Sequence, residues 1–222
     1  MKIFLKVFFT LFFSFSFVVF SLAQENEIES ALGFYKQKQY VLAQSILQNI
    51  DSPKALLYNA KCSKELSADD TKELFQKLIN EYPYSNFVSD ACLSLADIYF
   101  NEKDYALAID YYRFVEEPNS TNQAFNFAYS YFQIDSLERA KYLFSKLLLI
   151  DSEYQSASKY YFAHISYKSE DYQSSLKYFK ELRNDSKFKN IIPYYISQIY
   201  YFLQEYQELI NYLEPIVEEI VE

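Results

Sequence analysis

The segment Ala96-Asp97-Ile98-Tyr99-Phe100-Asn101-Glu102-Lys103-Asp104-Tyr105-Ala106-Leu107-Ala108 decides the fold of this chain. A small residue opens it and another closes it twelve positions later, with Tyr112 and Val115 four and seven residues further on. Apolar residues at i, i+3, i+4 and i+7 on both sides of the polar Asn101–Asp104 read as two amphipathic helices joined by a short turn. The twelve-residue spacing has a steric meaning. Small side chains meet where the two helices cross most closely, and bulky residues at both places would force the helices apart.

The pattern recurs on either side. Downstream it reads Ala128…Leu137…Ala140…Phe144…Leu147, then Ala163…Tyr172…Ser175…Phe179…Leu182, then Ser197…Tyr206…Leu209…Leu213…Ile216. Upstream it reads Ala31…Tyr40…Ala43…Leu47…Ile50, and a weaker copy, Ala60…Thr71…Phe75…Leu78, fits with one residue deleted. The second-helix anchors Ala43, Thr71, Ala108, Ala140, Ser175 and Leu209 are 28, 37, 32, 35 and 34 residues apart. These separations centre on the 34-residue period of a helix-turn-helix repeat. The expected fold is an all-α, right-handed α-solenoid of about six such repeats, at roughly 25–51, 52–84, 85–118, 119–153, 154–187 and 188–222. Ser52 before Pro53 is a good cap and first-turn pair, and Asp70 with Glu73 offers a capping box.

Residues 1–23 differ in kind: Lys2 and Lys6 precede the apolar run Val7–Phe20, and Ser21-Leu22-Ala23 supplies small residues for cleavage after Ala23. This is the pattern of a signal peptide, and an uncleaved anchor is the alternative when the apolar stretch is counted from Ile3. No cysteine follows Ala23, so a bacterial lipoprotein signal is missing. Loss of two lysines and no acid would take the formal net charge of the 222-residue chain from −9 to −11. Nucleic acid is therefore an unsuitable partner, since binding it requires a basic stripe.

At 50% hydrophobic and 23% charged, with one Gly, the chain reads as one ordered unit after the leader, 24–222. Cys62 and Cys92 fall in neighbouring repeats; in an exported protein two cysteines could pair, the spacing does not decide it, and two buried free thiols are the expected state. One histidine, His164, and one glycine, Gly33, leave no metal-ligand set and no phosphate loop, so no cofactor is expected. Carboxylates such as Asp69-Asp70 and Glu116-Glu117 read as solvated helix faces and caps, with a carboxylate-dependent hydrolase as the minor alternative.

The chain resembles the tetratricopeptide repeat family over residues of about 25 to 220. Phe75-Gln76-Lys77-Leu78-Ile79-Asn80-Glu81-Tyr82-Pro83-Tyr84-Ser85, followed by Ala91…Leu95-Ala96…Tyr99…Asp104-Tyr105…Ala108, is similar to periplasmic members linked to outer-membrane assembly and the Tol–Pal system of Gram-negative bacteria. It departs from the family in lacking Trp and in carrying Glu170 and Gln204 where the turn usually has Gly. The resemblance implies a non-enzymatic protein-binding scaffold of the periplasm or cell envelope, its partners exported or outer-membrane-associated proteins held on the concave face of the first helices. On that face the register places Asp97, Phe100, Phe125, Tyr129, Phe132, Tyr160, His164, Tyr167, Tyr194 and Tyr201, with Asp90, Leu93 and Gln198 alongside. Asp97, Tyr129, His164 and Gln198 replace the Lys, Arg and Asn with which chaperone-binding relatives grip a C-terminal carboxylate, so that activity is not expected. Packing of these aromatics between helices as plain core is the competing reading. The segment Val217–Glu222 offers no evident polar cap, which implies docking on a partner, on another copy, or on further repeats of a longer chain.

Overall fold

A computed structural model describes residues 23–115 and 118–221, with side chains as far as 217. Residues 1–22 of the proposed leader, the Glu116-Glu117 pair and the side chains of residues 218–222 lie outside the described residues.

The described residues form twelve helices and no strand: α1 (23–36), α2 (Tyr40–Leu47), α3 (Pro53–Glu65), α4 (Thr71–Glu81), α5 (Val88–Asn101), α6 (Tyr105–Tyr112), α7 (Thr121–Gln133), α8 (Leu137–Leu147), α9 (Gln155–Lys168), α10 (Tyr172–Leu182), α11 (Ile192–Phe202) and α12 (Tyr206–Val221). No helix among them is long and apolar enough to cross a membrane. They pair consecutively into hairpins, one per repeat. In the first five hairpins the small residues sit where the spacing places them, for Ala31, Ala43, Ala60, Ala96, Ala108, Ala128, Ala140, Ala163 and Ser175 are all fully buried and Thr71 nearly so, whereas Ser197 and Leu209 of the last copy are only partly buried. In the fifth hairpin the crossing is sealed by the Ser175 hydroxyl, which donates to the Ala163 carbonyl at 2.9 Å.

Each turn between paired helices is built the same way although the residues differ. Lys38, Ser67, Lys103, Asp135, Glu170 and Gln204 all take a positive φ between 55° and 64°. Beside each, two amides return to the preceding helix: Lys38 to Tyr35 and Gln39 to Phe34 in the first turn, Glu170 to Tyr167 and Asp171 to Ser166 in the fifth. These paired bonds are a Schellman closure, which satisfies carbonyls that the end of a helix leaves without partners. The six positions lie 29, 36, 32, 35 and 34 residues apart, so the backbone repeats the period of the side chains. A residue with a Cβ is strained there, and glycine is not. Glu170→Gly is accordingly expected to raise stability by about 0.5–1 kcal/mol in urea titration. A loss of stability would show that the Glu170 side chain contributes more than the strain removes.

Helix starts are capped individually. Ser52, Ser120, Asp104 and Asp171 accept from the amides of Ala55, Gln123, Leu107 and Ser174. The capping box expected from Asp70 and Glu73 does not form: Asp70 lies at φ −78° and ψ −2°, with no cap bond from its side chain. Asp70 has helical rather than extended backbone, so its carboxylate is not turned toward the amides ahead of it. The Thr71 hydroxyl instead donates to the Ala68 carbonyl at 2.7 Å.

The chain divides into two compact units, Met1–Leu95 and Ala96–Glu222, with the boundary inside α5. In the first, Ile28, Leu32, Leu47 and Ile50 pack around Ala31 and Ala43, with Tyr35 and Tyr58 against them. Cys62 and Cys92 are buried and free there, and burial pushes both thiols up to about 11. In the second, one cluster gathers on Phe144 and Ile165 and another on Phe179, Ile192, Ile196 and Ile199.

Candidate functional site

The second unit brings the sequence-selected aromatics together. Phe100 at the end of α5 meets Tyr129 of α7 at a ring-centroid distance of 6.0 Å, and Phe132 of α7 meets His164 of α9 at 5.9 Å. His164 stacks on Tyr160 at 6.0 Å, and Tyr167 of α9 approaches Phe202 of α11 at 6.4 Å. Within the second unit, the C-terminal end of α5 with α7, α9 and α11 thus carries one row of rings. Phe100, Phe125, Tyr129, Phe132, Tyr160, His164 and Tyr167 are half-buried, whereas Tyr194 and Tyr201 are 57% and 59% exposed. The rings therefore act both as packing and as surface.

Sequence reading missed the residues that hold the row. Tyr161 touches Tyr129 at 5.2 Å, Phe132 at 5.0 Å, Phe125 at 6.1 Å and Phe144 at 5.3 Å. Tyr195, one repeat later, touches His164 at 5.6 Å, Tyr167 at 5.3 Å, Tyr160 at 6.4 Å and Phe179 at 4.7 Å. The four neighbours correspond one for one, so the same aromatic box is built twice, with a tyrosine of the next helix closing it. Tyr58 plays this part in the first unit, reaching Tyr35 at 5.3 Å. The available signal was a tyrosine two residues before the small residue, at Tyr58, Tyr161 and Tyr195.

Where the closing residue is Asn126, the chemistry changes to match. Asp97 stands in the place of Tyr129, and it accepts from the Tyr112 hydroxyl at 2.6 Å and from Gln123 Nε2 at 2.8 Å. Tyr112 is fully buried, and burial together with its bond to Asp97 holds its hydroxyl protonated far above the ordinary tyrosine range. The Asp97 carboxylate is thus engaged within the fold. Burial also raises Tyr161 and Tyr195, each with a hydroxyl bond to a neighbouring tyrosine, Tyr129 and Tyr160 respectively. Burial, and then Lys168, lower His164, whose Nδ1 has no hydrogen-bond partner. The imidazole is therefore held neutral, as an aromatic member of the row.

Of the neighbouring register positions, Gln198 accepts from the Tyr167 hydroxyl. Asp90 and Leu93 belong to the first unit, where Asp90 pairs with Lys61 at 3.2 Å. No group of three or more His, Cys, Asp or Glu side chains placed to hold a metal ion occurs among the described residues. What the row offers is flat apolar ring surface edged by hydroxyls, with half of each inner ring already fixed by its neighbours. Such rings lose little conformational freedom when something docks on them.

No family model matches the sequence, and no curated protein matches it. Solved structures do match. MamA of strain AMB-1 superposes with a TM-score of 0.61 at 15% identity, covering 75% of this chain and 93% of that one. The C-terminal part of a TPR repeat-containing protein from Cytophaga hutchinsonii gives 0.60 at 14% identity, covering 88% and 83%. A tetratricopeptide repeat protein from Parabacteroides merdae gives 0.56 at 14% identity, covering 88% and 79%. At these identities the likeness is one of fold, and that fold is the tetratricopeptide repeat.

Proposed function

We propose that this chain, folded as tetratricopeptide repeats, is a non-catalytic scaffold that binds an extended or helical segment of another protein on the aromatic row that the end of α5 forms with α7, α9 and α11 in its second unit. The observation that carries the reading is the row itself: consecutive first helices present tyrosine, phenylalanine and histidine rings that are packed on one side and open on the other. Buried aromatic anchors in a pre-formed groove are the usual source of affinity in segment recognition. The scaffold works in the cell envelope, on exported or outer-membrane-associated partners. The charged start, apolar run and small-residue end of residues 1–23 support that placement.

The test is an affinity capture of the tagged, exported protein from a cell-envelope fraction, comparing the wild type with the Tyr129→Ala/Tyr160→Ala double variant. Removing two rings from the middle of the row is expected to lower recovery of the principal partner about tenfold, the effect of losing a typical hot spot, with helicity by circular dichroism unchanged. Equal recovery from both proteins would remove the row as the binding surface.

A further inference from the structure

The first unit holds a polar cleft in which the aromatic row has no part. α3 packs against both α2 and α4, and between those two helices it forms the floor of a cavity of about 620 Å³, the size of a small-ligand site. Asn59 of α3 lies on that floor, 7% exposed, and its Oδ1 has no hydrogen-bond partner. Counted from the small residue of each first helix, the same position holds Leu95, Phe127, Phe162 and Ile196 in the repeats that follow. Apolar side chains pack there, as Phe127 does on Tyr112 at 5.3 Å and Phe162 on Tyr178 at 5.2 Å. A buried amide oxygen without a donor destabilises the fold where leucine would not, so packing does not account for Asn59.

The side chains around Asn59 set the charge of what can enter. Asp70 at the start of α4 shares one helical face with Lys77 and Glu81, seven and eleven residues on, and Asp51 stands in the loop before α3. Three carboxylates thus line the cleft against one lysine, which lies 3.9 Å from Glu81. The Asp70 carboxylate makes no cap bond to its own helix. No aromatic ring lines the cavity to stack on a sugar or a base. We infer that this cleft binds an organic cation, a guanidinium or primary ammonium group whose N–H atoms donate to the Asn59 amide oxygen and to Asp70. The terminal amide of asparagine turns easily about its last torsion, which brings the oxygen to face the entering donor. The cation then supplies the donor that the fold withholds, and its charge strengthens each bond it makes to the acidic lining.

The site stands apart from the proposed aromatic surface, for it lies wholly in the first unit. Isothermal titration calorimetry of the whole 222-residue chain is run with agmatine and, separately, with a capped glycine-arginine-glycine peptide. The two probes distinguish a free small cation from the arginine side chain of a partner. Saturable one-site binding of at least one probe is expected, weakened about tenfold in Asn59→Leu and about threefold in the exposed Asp70→Asn. Asn59→Leu gives the floor the residue found at Leu95, so its urea midpoint is expected to rise. This exchange leaves every charge in place. Binding that Asn59→Leu does not change would therefore be diffuse attraction of cations to an acidic surface, and it overturns the proposal. So does the absence of binding by both probes. A lower urea midpoint for Asn59→Leu would assign the amide to packing and likewise overturns it.

Discussion

Replacing Phe144 with alanine is expected to destabilise the protein by about 3–5 kcal/mol, the cost of deleting a fully buried phenyl ring together with the cavity it leaves. Phe144 is completely buried and lies 5.6 Å from Phe125 and 5.3 Å from Tyr161, as the second-helix wall of the first closed box. Its loss removes contacts on both sides of a repeat boundary. Tyr142→Ala, two residues away at a position 60% exposed, is the internal control and is expected to change stability by no more than about 0.5 kcal/mol. Urea unfolding of the three proteins measures both effects. A cost below about 1 kcal/mol for Phe144→Ala would mean that Phe125 and Tyr161 collapse into the vacancy, and that the box is plastic rather than jigsaw-packed.

Ala163→Leu is expected to cost about 3 kcal/mol through the opposite fault, overpacking. Ala163 is fully buried at the crossing of α9 and α10, where the Ser175 hydroxyl bonds directly to its carbonyl. A leucine side chain has no room between backbones held that closely. The helices must separate, which breaks the Ser175 bond and displaces Phe179 from Tyr195. Ala106→Leu, on the exposed side of α6, adds the same atoms and is expected to be nearly neutral. Equal effects at the two sites would contradict the close-crossing account of the twelve-residue spacing.

The arrangement also explains how this chain dispenses with features usual in its fold. Glycine is missing from all six turns, yet each closes with the same pair of amide bonds and the same positive φ. Residues with side chains accept the left-handed conformation there because two satisfied carbonyls and the packing of two helices outweigh about 1 kcal/mol of strain. The boxes likewise tolerate exchange of members when the exchange is matched. Asn126 in the closing position goes with the hydrogen-bonded Asp97 and Tyr112, whereas Tyr161 goes with the rings of Tyr129 and Phe144, so the one carboxylate among these members is matched by donors. A mixed box would bury a carboxylate against rings without a donor, which is costly.

Much of this was determined by the sequence alone. Hairpin pairing, the period and the buried small residues follow from spacing, because helix geometry converts a distance along the chain directly into a face and a crossing point. Ala128 with Ala140, or Ala163 with Ser175, needed no coordinates to be recognised as contacts. The capping failure at Asp70, the closing role of Tyr161 and Tyr195, and the engagement of Asp97 were decided only by the tertiary structure. Each depends on the backbone angle at one residue or on which side chain of a neighbouring repeat reaches across. Spacing within one helix says which residues share a face, whereas the partner of that face is chosen by packing between helices that the local pattern does not encode.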